Sequence, residues 1–142
     1  MTRRPHFIHR VRVAYIDTDA ARIVHHATYL RYFETARIEF LRANGWDYAA
    51  WVKRENLGLP VAENSVRYRA PAYFDDVLEI DTWVAVAYRA YLVFQYEARR
   101  DGKLLTEATT KCACTTLGGE IRRVPLELLQ MCLGAEFDVT KI

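Results

Sequence analysis

A chain of 142 residues, half of them hydrophobic and 13% aromatic, fits one domain (1–142) with a single sizeable core. Its formal charge of +2, from 20 basic and 18 acidic residues, is too small to point to nucleic acid, and no Lys/Arg-rich run stands out. No apolar run approaches the roughly 20 residues a membrane span requires, and MTRRPHFIHR lacks the apolar segment of a signal peptide.

From His6 to Tyr15 the residues alternate, with Phe7, His9, Val11, Val13 and Tyr15 on one side, which predicts a strand. A helical pattern runs from Thr28 to Asn44, with Gly45 as its stop. At about 100° per residue its apolar positions cover half the circumference, so this helix is enclosed rather than lying on the surface. Arg37 interrupts that arc, and its head is expected to reach Glu34 one turn earlier, a carbonyl or a ligand. Asp47 is placed to cap a short helix from Tyr48 to Asn56, stopped at Gly58.

After Pro60 the period changes to two. Strands are predicted around Val66 to Ala70, from Leu78 to Val86, from Tyr91 to Arg100, and from Lys103 to Leu117. Asp101-Gly102 is a strong hairpin signal. Pro125 opens a closing helix that Gly134 ends, and the last eight residues read as a tail. Consecutive hairpins demand an antiparallel sheet, and the 28–44 helix is the one long element able to cover its apolar face. The expected architecture is α+β, a curved sheet of five or six strands wrapped around one helix.

Three cysteines form no disulfide framework, and C-x-C with a distant Cys132 is not a zinc pattern. Reduced, buried thiols in a cytosolic protein are the expectation.

The chemistry concentrates in YIDTDAARIVHHATYLRYFETAR, residues 15–37. Two carboxylates, Asp17 and Asp19, precede two imidazoles, His25 and His26, just before a helix start. A helix N-terminus leaves backbone N–H groups unpaired and partly positive. A carboxylate, an imidazole and oriented amides are what acyl transfer requires. Each residue also has a plainer reading. Asp17 or Asp19 alone would be a turn-forming aspartate; Tyr15 is a core residue or an active-site donor; Tyr29, Tyr32 and Phe33 are core positions more often than ligand contacts.

The segment D-T-D-A (Asp17 to Ala20), then Ile23-Val24-His25-His26, Tyr29, Glu34-x-Ala36-Arg37, Tyr68-x-Ala70-Pro71-Ala72 and Asp75-Asp76 resembles the hotdog-fold thioesterases. The closer resemblance is to the 4-hydroxybenzoyl-CoA thioesterase family, including the acyl-CoA thioesterases found with the Tol-Pal system. It covers roughly residues 8–125. The resemblance implies Asp19 as the catalytic carboxylate, His26 and Tyr15 as accessory polar groups, and an oxyanion-holding amide around His26. It also implies Arg89 near the CoA phosphates, while His25, in a structural or pocket-lining role, and Tyr29 are further candidates for contact with the substrate. Where the family commonly has Gly, this chain has Arg22; where an aromatic is frequent, it has His25.

The resemblance and the residues together lead to the expectation of a cytoplasmic acyl-CoA thioesterase for an aryl or short- to medium-chain acyl group. An acyl carrier protein thioester is a further candidate substrate. No metal or organic cofactor is expected, and the resemblance implies a homodimer or homotetramer. Two other classes fit the same residues: a non-enzymatic acyl-CoA or acyl-carrier-protein binding module, and a metal-dependent hydrolase using Asp17, Asp19, His25 and His26.

Overall fold

The computed structural model describes residues 4–142. Strand β1 (Phe7–Arg12) alternates half-buried and exposed side chains, as its sequence does. It stops three residues short of the predicted end, because the chain tightens into a 3-10 turn over Tyr15–Asp17. Helix α1 (Thr28–Ala43) follows, then α2 (Tyr48–Glu55), in which the Asp47 side chain accepts the Ala50 N–H. The left-handed residue that ends α2 is Asn56, not Gly58, which belongs to the short strand β2 (Leu57–Gly58).

Four strands complete the main sheet: β3 (Val61–Tyr68), β4 (Val77–Ala87), β5 (Tyr91–Arg100) and β6 (Lys103–Ala113). The order is β1-β4-β5-β6-β3, every pair antiparallel. Asp101 and Gly102 both have positive φ, 51° and 82°, as a type I′ hairpin requires. The strand predicted to reach Leu117 breaks at Cys114, whose N–H turns to Ala90 O. The chain then resumes as β7 (Thr115–Thr116) against β2 in a separate two-stranded ribbon. Helix α3 (Leu126–Leu133) packs on β4, and the final residues are not a loose tail: a 3-10 turn, Val139–Lys141, buries Val139.

The inner face of the sheet closes over α1. Phe33 stacks on Tyr96 at 4.6 Å between ring centres, and Phe40 meets Phe94 edge-on at 6.1 Å. Each such buried aromatic or aliphatic side chain contributes about 1.5–3 kcal/mol by leaving water. Leu78, Ile80, Val84, Leu92 and Leu105 complete this core. Arg37 is only 9% exposed and donates to the Tyr96 hydroxyl at 2.9 Å, not to Glu34 or a carbonyl.

Edge strand β3 is the exception to the packing. Val61, Asn64, Val66 and Tyr68 pair opposite Cys112, Thr110, Ala108 and Thr106, which face the core from β6. Yet Val61, Asn64 and Tyr68 are exposed and Val66 only half-buried, because α1 covers this edge only in part, through Tyr29 edge-on to the Tyr68 ring at 5.7 Å.

Candidate active site

The two carboxylates of the D-T-D turn have opposite environments. Asp17 is buried: its Oδ2 accepts the Ala14 N–H at 3.0 Å and the Tyr32 hydroxyl at 2.7 Å, and its Oδ1 accepts from Arg31. Its backbone carbonyl accepts the His25 N–H, so the turn is tied to the approach to α1. Burial pushes the Asp17 carboxyl up, but the Tyr32 and Ala14 hydrogen bonds and the Arg31 cation more than offset this and hold it below its ordinary value of 3.8. Asp17 is a structural knot.

Asp19 is half-exposed and makes no ion pair among the described residues. One oxygen, Oδ1, accepts the Ala21 N–H at 2.8 Å in an Asx-type turn, while its N–H reaches Ile23 O. Oδ2 makes no bond within the chain among the described residues. The loop behind it is held in place by Val24 N–H on Ala72 O at 2.9 Å and by the bridge from Ile23 to Tyr73. Arg22 closes that loop with φ 66°, the left-handed conformation in which glycine is favoured, so the arginine keeps the shape at a conformational cost.

At the mouth of α1 the amides divide. The Ala27 N–H is taken by His25 Nδ1 at 3.0 Å and the Thr28 N–H by His25 O at 2.9 Å. The His26 N–H has no acceptor among the described residues, while its carbonyl accepts the Tyr68 hydroxyl at 2.8 Å. The two imidazoles stack with ring centres 4.2 Å apart, so His25 serves as a cap and as a platform for His26.

Asp19 and His26 share a cleft of about 420 Å3 with Ile23, Tyr29, Tyr68 and Ala70. A carboxylate oxygen and a backbone N–H, both unengaged within the described residues and both on residues lining one cleft, are groups that could act as a base or nucleophile and as an oxyanion donor. Tyr29 gives the cleft its ring. Its hydroxyl is buried behind that wall without a hydrogen-bond partner, and burial pushes its pKa up, the nearby Thr106 hydroxyl offsetting only part. A larger groove of about 710 Å3, between Asn56 and Arg123, holds a single carboxylate, Glu55, already paired with Arg54.

Of the residues singled out from the sequence, the structure brings together Asp19, His26 and Tyr29. His25 adjoins them without lining the cleft. Tyr15 stands apart, 77% exposed and edge-on to Phe74 at 5.6 Å. Arg89 lies in the β4–β5 turn beyond Ala87, whereas the cleft adjoins the Val77 end of β4, about 35 Å of strand away. Among the described residues no group of three or more His, Cys, Asp or Glu is placed to hold a metal ion. Sequence reasoning missed Tyr68 as a site residue; its signal was an aromatic ending a strand two residues before Ala70-Pro71.

A helix enclosed by a five-stranded antiparallel sheet, with a carboxylate turn at the helix mouth, defines the hotdog fold. Residues 13–131 match the model of the thioesterase-like superfamily, and the chain belongs to that family. The chain is 37% identical over 108 residues to acyl-CoA thioesterase YbgC of Haemophilus influenzae, covering 76% of this chain and 79% of the relative. It is 39% identical over 105 residues to acyl-CoA thioester hydrolase YbgC of Escherichia coli O6:H1, covering 73% and 78%. Among solved structures, a hypothetical protein of Aquifex aeolicus superposes with a TM-score of 0.83 at 34% identity over 89% of this chain and 98% of that one. A 4-hydroxybenzoyl CoA thioesterase mutant complexed with 4-hydroxybenzoyl CoA gives a TM-score of 0.84 at 20% identity over 90% and 99%, a likeness of fold.

Proposed function

We propose that this acyl-CoA thioesterase hydrolyses an aryl or short- to medium-chain acyl-CoA to the free acid and CoA, with the Asp19 carboxylate as base or nucleophile. The single observation that carries the reading is the free Oδ2 of Asp19 beside the same cleft as the unpaired His26 N–H. As base, Asp19 takes a proton from water while the water oxygen attacks the thioester carbonyl; the C–S bond then breaks, and the CoA thiolate leaves, with the proton returned from Asp19. As nucleophile, it forms a mixed anhydride, releases the thiolate, and is regenerated by water. In both routes charge gathers on the carbonyl oxygen, where the His26 N–H is worth about 3 kcal/mol if it resembles other oxyanion donors.

Edge strand β3 supports a homodimer. Its core-side row is uncovered and its outer edge carries unpaired backbone groups, so a second copy pairing there in antiparallel fashion would satisfy both. That pairing would bring the Arg89 end of the second copy towards the Tyr68 end of this one, giving Arg89 a route to a CoA phosphate in its neighbour's cleft. Three free, buried cysteines fit a reducing compartment such as the cytoplasm.

Thiol release measured across aryl-, short-chain and long-chain acyl-CoAs and an acyl carrier thioester tests the reading. Turnover on aryl or shorter acyl-CoAs is expected. Saturable binding with no thiol released from any of them would make the chain a binding module instead.

A further inference from the structure

Two neighbouring amides stand where α1 begins, and one side chain decides which of them is free. His25 Nδ1 accepts the Ala27 N–H at 3.0 Å, while the His26 N–H has no acceptor among the described residues. Accepting at Nδ1 leaves the ring proton on Nε2, so the bond requires a neutral imidazole in one tautomer. The half-buried His25 is held for this task from three sides. Its own N–H donates to Asp17 O and its carbonyl accepts the Thr28 N–H, both at 2.9 Å, and its ring stacks on His26.

Asp19 makes the same bond two residues onward, through Oδ1 to the Ala21 N–H. Nδ1 of histidine and Oδ1 of aspartate or asparagine lie the same number of bonds from the backbone. A phenyl ring has no acceptor there, so the aromatic residue frequent at this position in the family could not take the Ala27 N–H. Histidine differs from asparagine in one respect: it ordinarily changes charge between pH 5 and 8, and the imidazolium carries a proton on both nitrogens. A protonated Nδ1 would meet the Ala27 N–H donor to donor. The titratable and charged groups gathered around the ring are His26 in the stack, Asp17 and Asp19 of the turn, Arg31 of α1, and Tyr68 and Arg69 at the end of β3. Among the described residues none of these carboxylates forms an ion pair with His25, and that of Asp17 is already engaged by Arg31, Tyr32 and Ala14.

We propose that neutral His25 is a positioning residue for thioester hydrolysis: it keeps the Ala27 amide occupied, leaves the His26 N–H as the free donor at the helix mouth, and gives up that arrangement when it is protonated. This assignment rests on the thioesterase reading above and adds to it the residue that makes turnover fall in acid.

Steady-state kinetics from pH 8 to pH 5 test it, with Tm recorded for each protein. Wild-type kcat is expected to fall about tenfold across that range while KM changes less than about threefold. Carboxylates ordinarily stay charged there, so such a limb belongs to an imidazole. His25→Asn keeps an acceptor for the Ala27 N–H but does not titrate, and should lose the limb. His25→Phe keeps the stack without the acceptor, and its kcat at pH 8 should lie about tenfold below that of His25→Asn. Imidazole nitrogen NMR shifts of the wild type, which need no variant to fold, should show His25 protonated at Nε2 alone at pH 8 and gaining its second proton where kcat falls. A wild type that releases no thiol from any acyl-CoA would overturn the thioesterase reading and this assignment together. In an active wild type, a flat pH profile, a His25 still neutral at pH 5, a limb that survives in folded His25→Asn, or His25→Phe as active as His25→Asn would each overturn the assignment alone.

Discussion

The Tyr32 hydroxyl donates to Asp17 Oδ2 at 2.7 Å, joining the first turn of the chain to the second turn of the central helix. Through this bond the sequence separates two carboxylates that stand only two residues apart. Asp17 is spent on structure, and Asp19, left outside the knot, faces the cleft.

Loss of the Asp17 carboxylate should therefore cost stability first. Asp17→Asn removes the charge that Arg31 pairs with and is expected to lower unfolding free energy by about 1–3 kcal/mol, read from urea denaturation. The sign with pH follows from the lowered pKa. A carboxyl whose folded pKa lies below its ordinary 3.8 contributes stability fully above that value and loses it as pH falls through the folded pKa. Wild type should accordingly lose more stability than Asp17→Asn between pH 5 and about pH 2. Equal acid sensitivity in the two proteins would contradict this account of the knot.

Arg22 offers a gain. With φ at 66°, replacement by Gly removes the left-handed penalty, about 1 kcal/mol, and should raise Tm by roughly 3 °C in calorimetry. A fall in Tm would mean that the arginine side chain contributes more than its backbone costs.

The oxyanion role proposed for His26 rests on its backbone N–H. His26→Ala keeps the N–H and the Tyr68 bond to its carbonyl, so kcat should fall by less than about tenfold if the imidazole only assists. Tyr68→Phe, which releases that carbonyl, should cost more in kcat than in KM by loosening the helix mouth. A collapse of kcat in His26→Ala would move the role to the ring.

The thiols should be inert. Burial pushes the Cys132 thiol up to about 12 and raises Cys112 and Cys114 as well. Labelling with a disulfide reagent at pH 8 should proceed only at the rate of unfolding, and any fast thiol would contradict the packing.

Local chemistry makes much of this fold legible. The Asp47 cap, the Asp101-Gly102 turn and the alternation along β4 to β6 all stand where residue type alone puts them. Tyr15 escapes such a reading because alternation continues past Arg12, while the backbone has already bent to seat Asp17 against Tyr32; that contact joins residues 15 apart and no period encodes it. The break at Cys114 is equally non-local, set by Ala90 and Pro60 carbonyls that draw the chain from β6. Within the site, residue types mark the turn as chemical, yet only resemblance tells Asp19 from Asp17. Tyr68 is brought to the cleft by pairing with Thr106 of β6, and Arg69 and Ala70 by N–H bonds to Leu105 O, so the motif Tyr68-x-Ala70-Pro71 marks the stretch without saying what it faces.

The most direct measurement is the steady-state turnover of Asp19→Asn on the best acyl-CoA found for wild type, with Tm recorded alongside. Asparagine keeps an oxygen for the Ala21 N–H, so the fold should hold within about 2 °C while kcat drops by roughly 100-fold or more. A folded Asp19→Asn protein with near wild-type kcat would show that this carboxylate is not the catalyst.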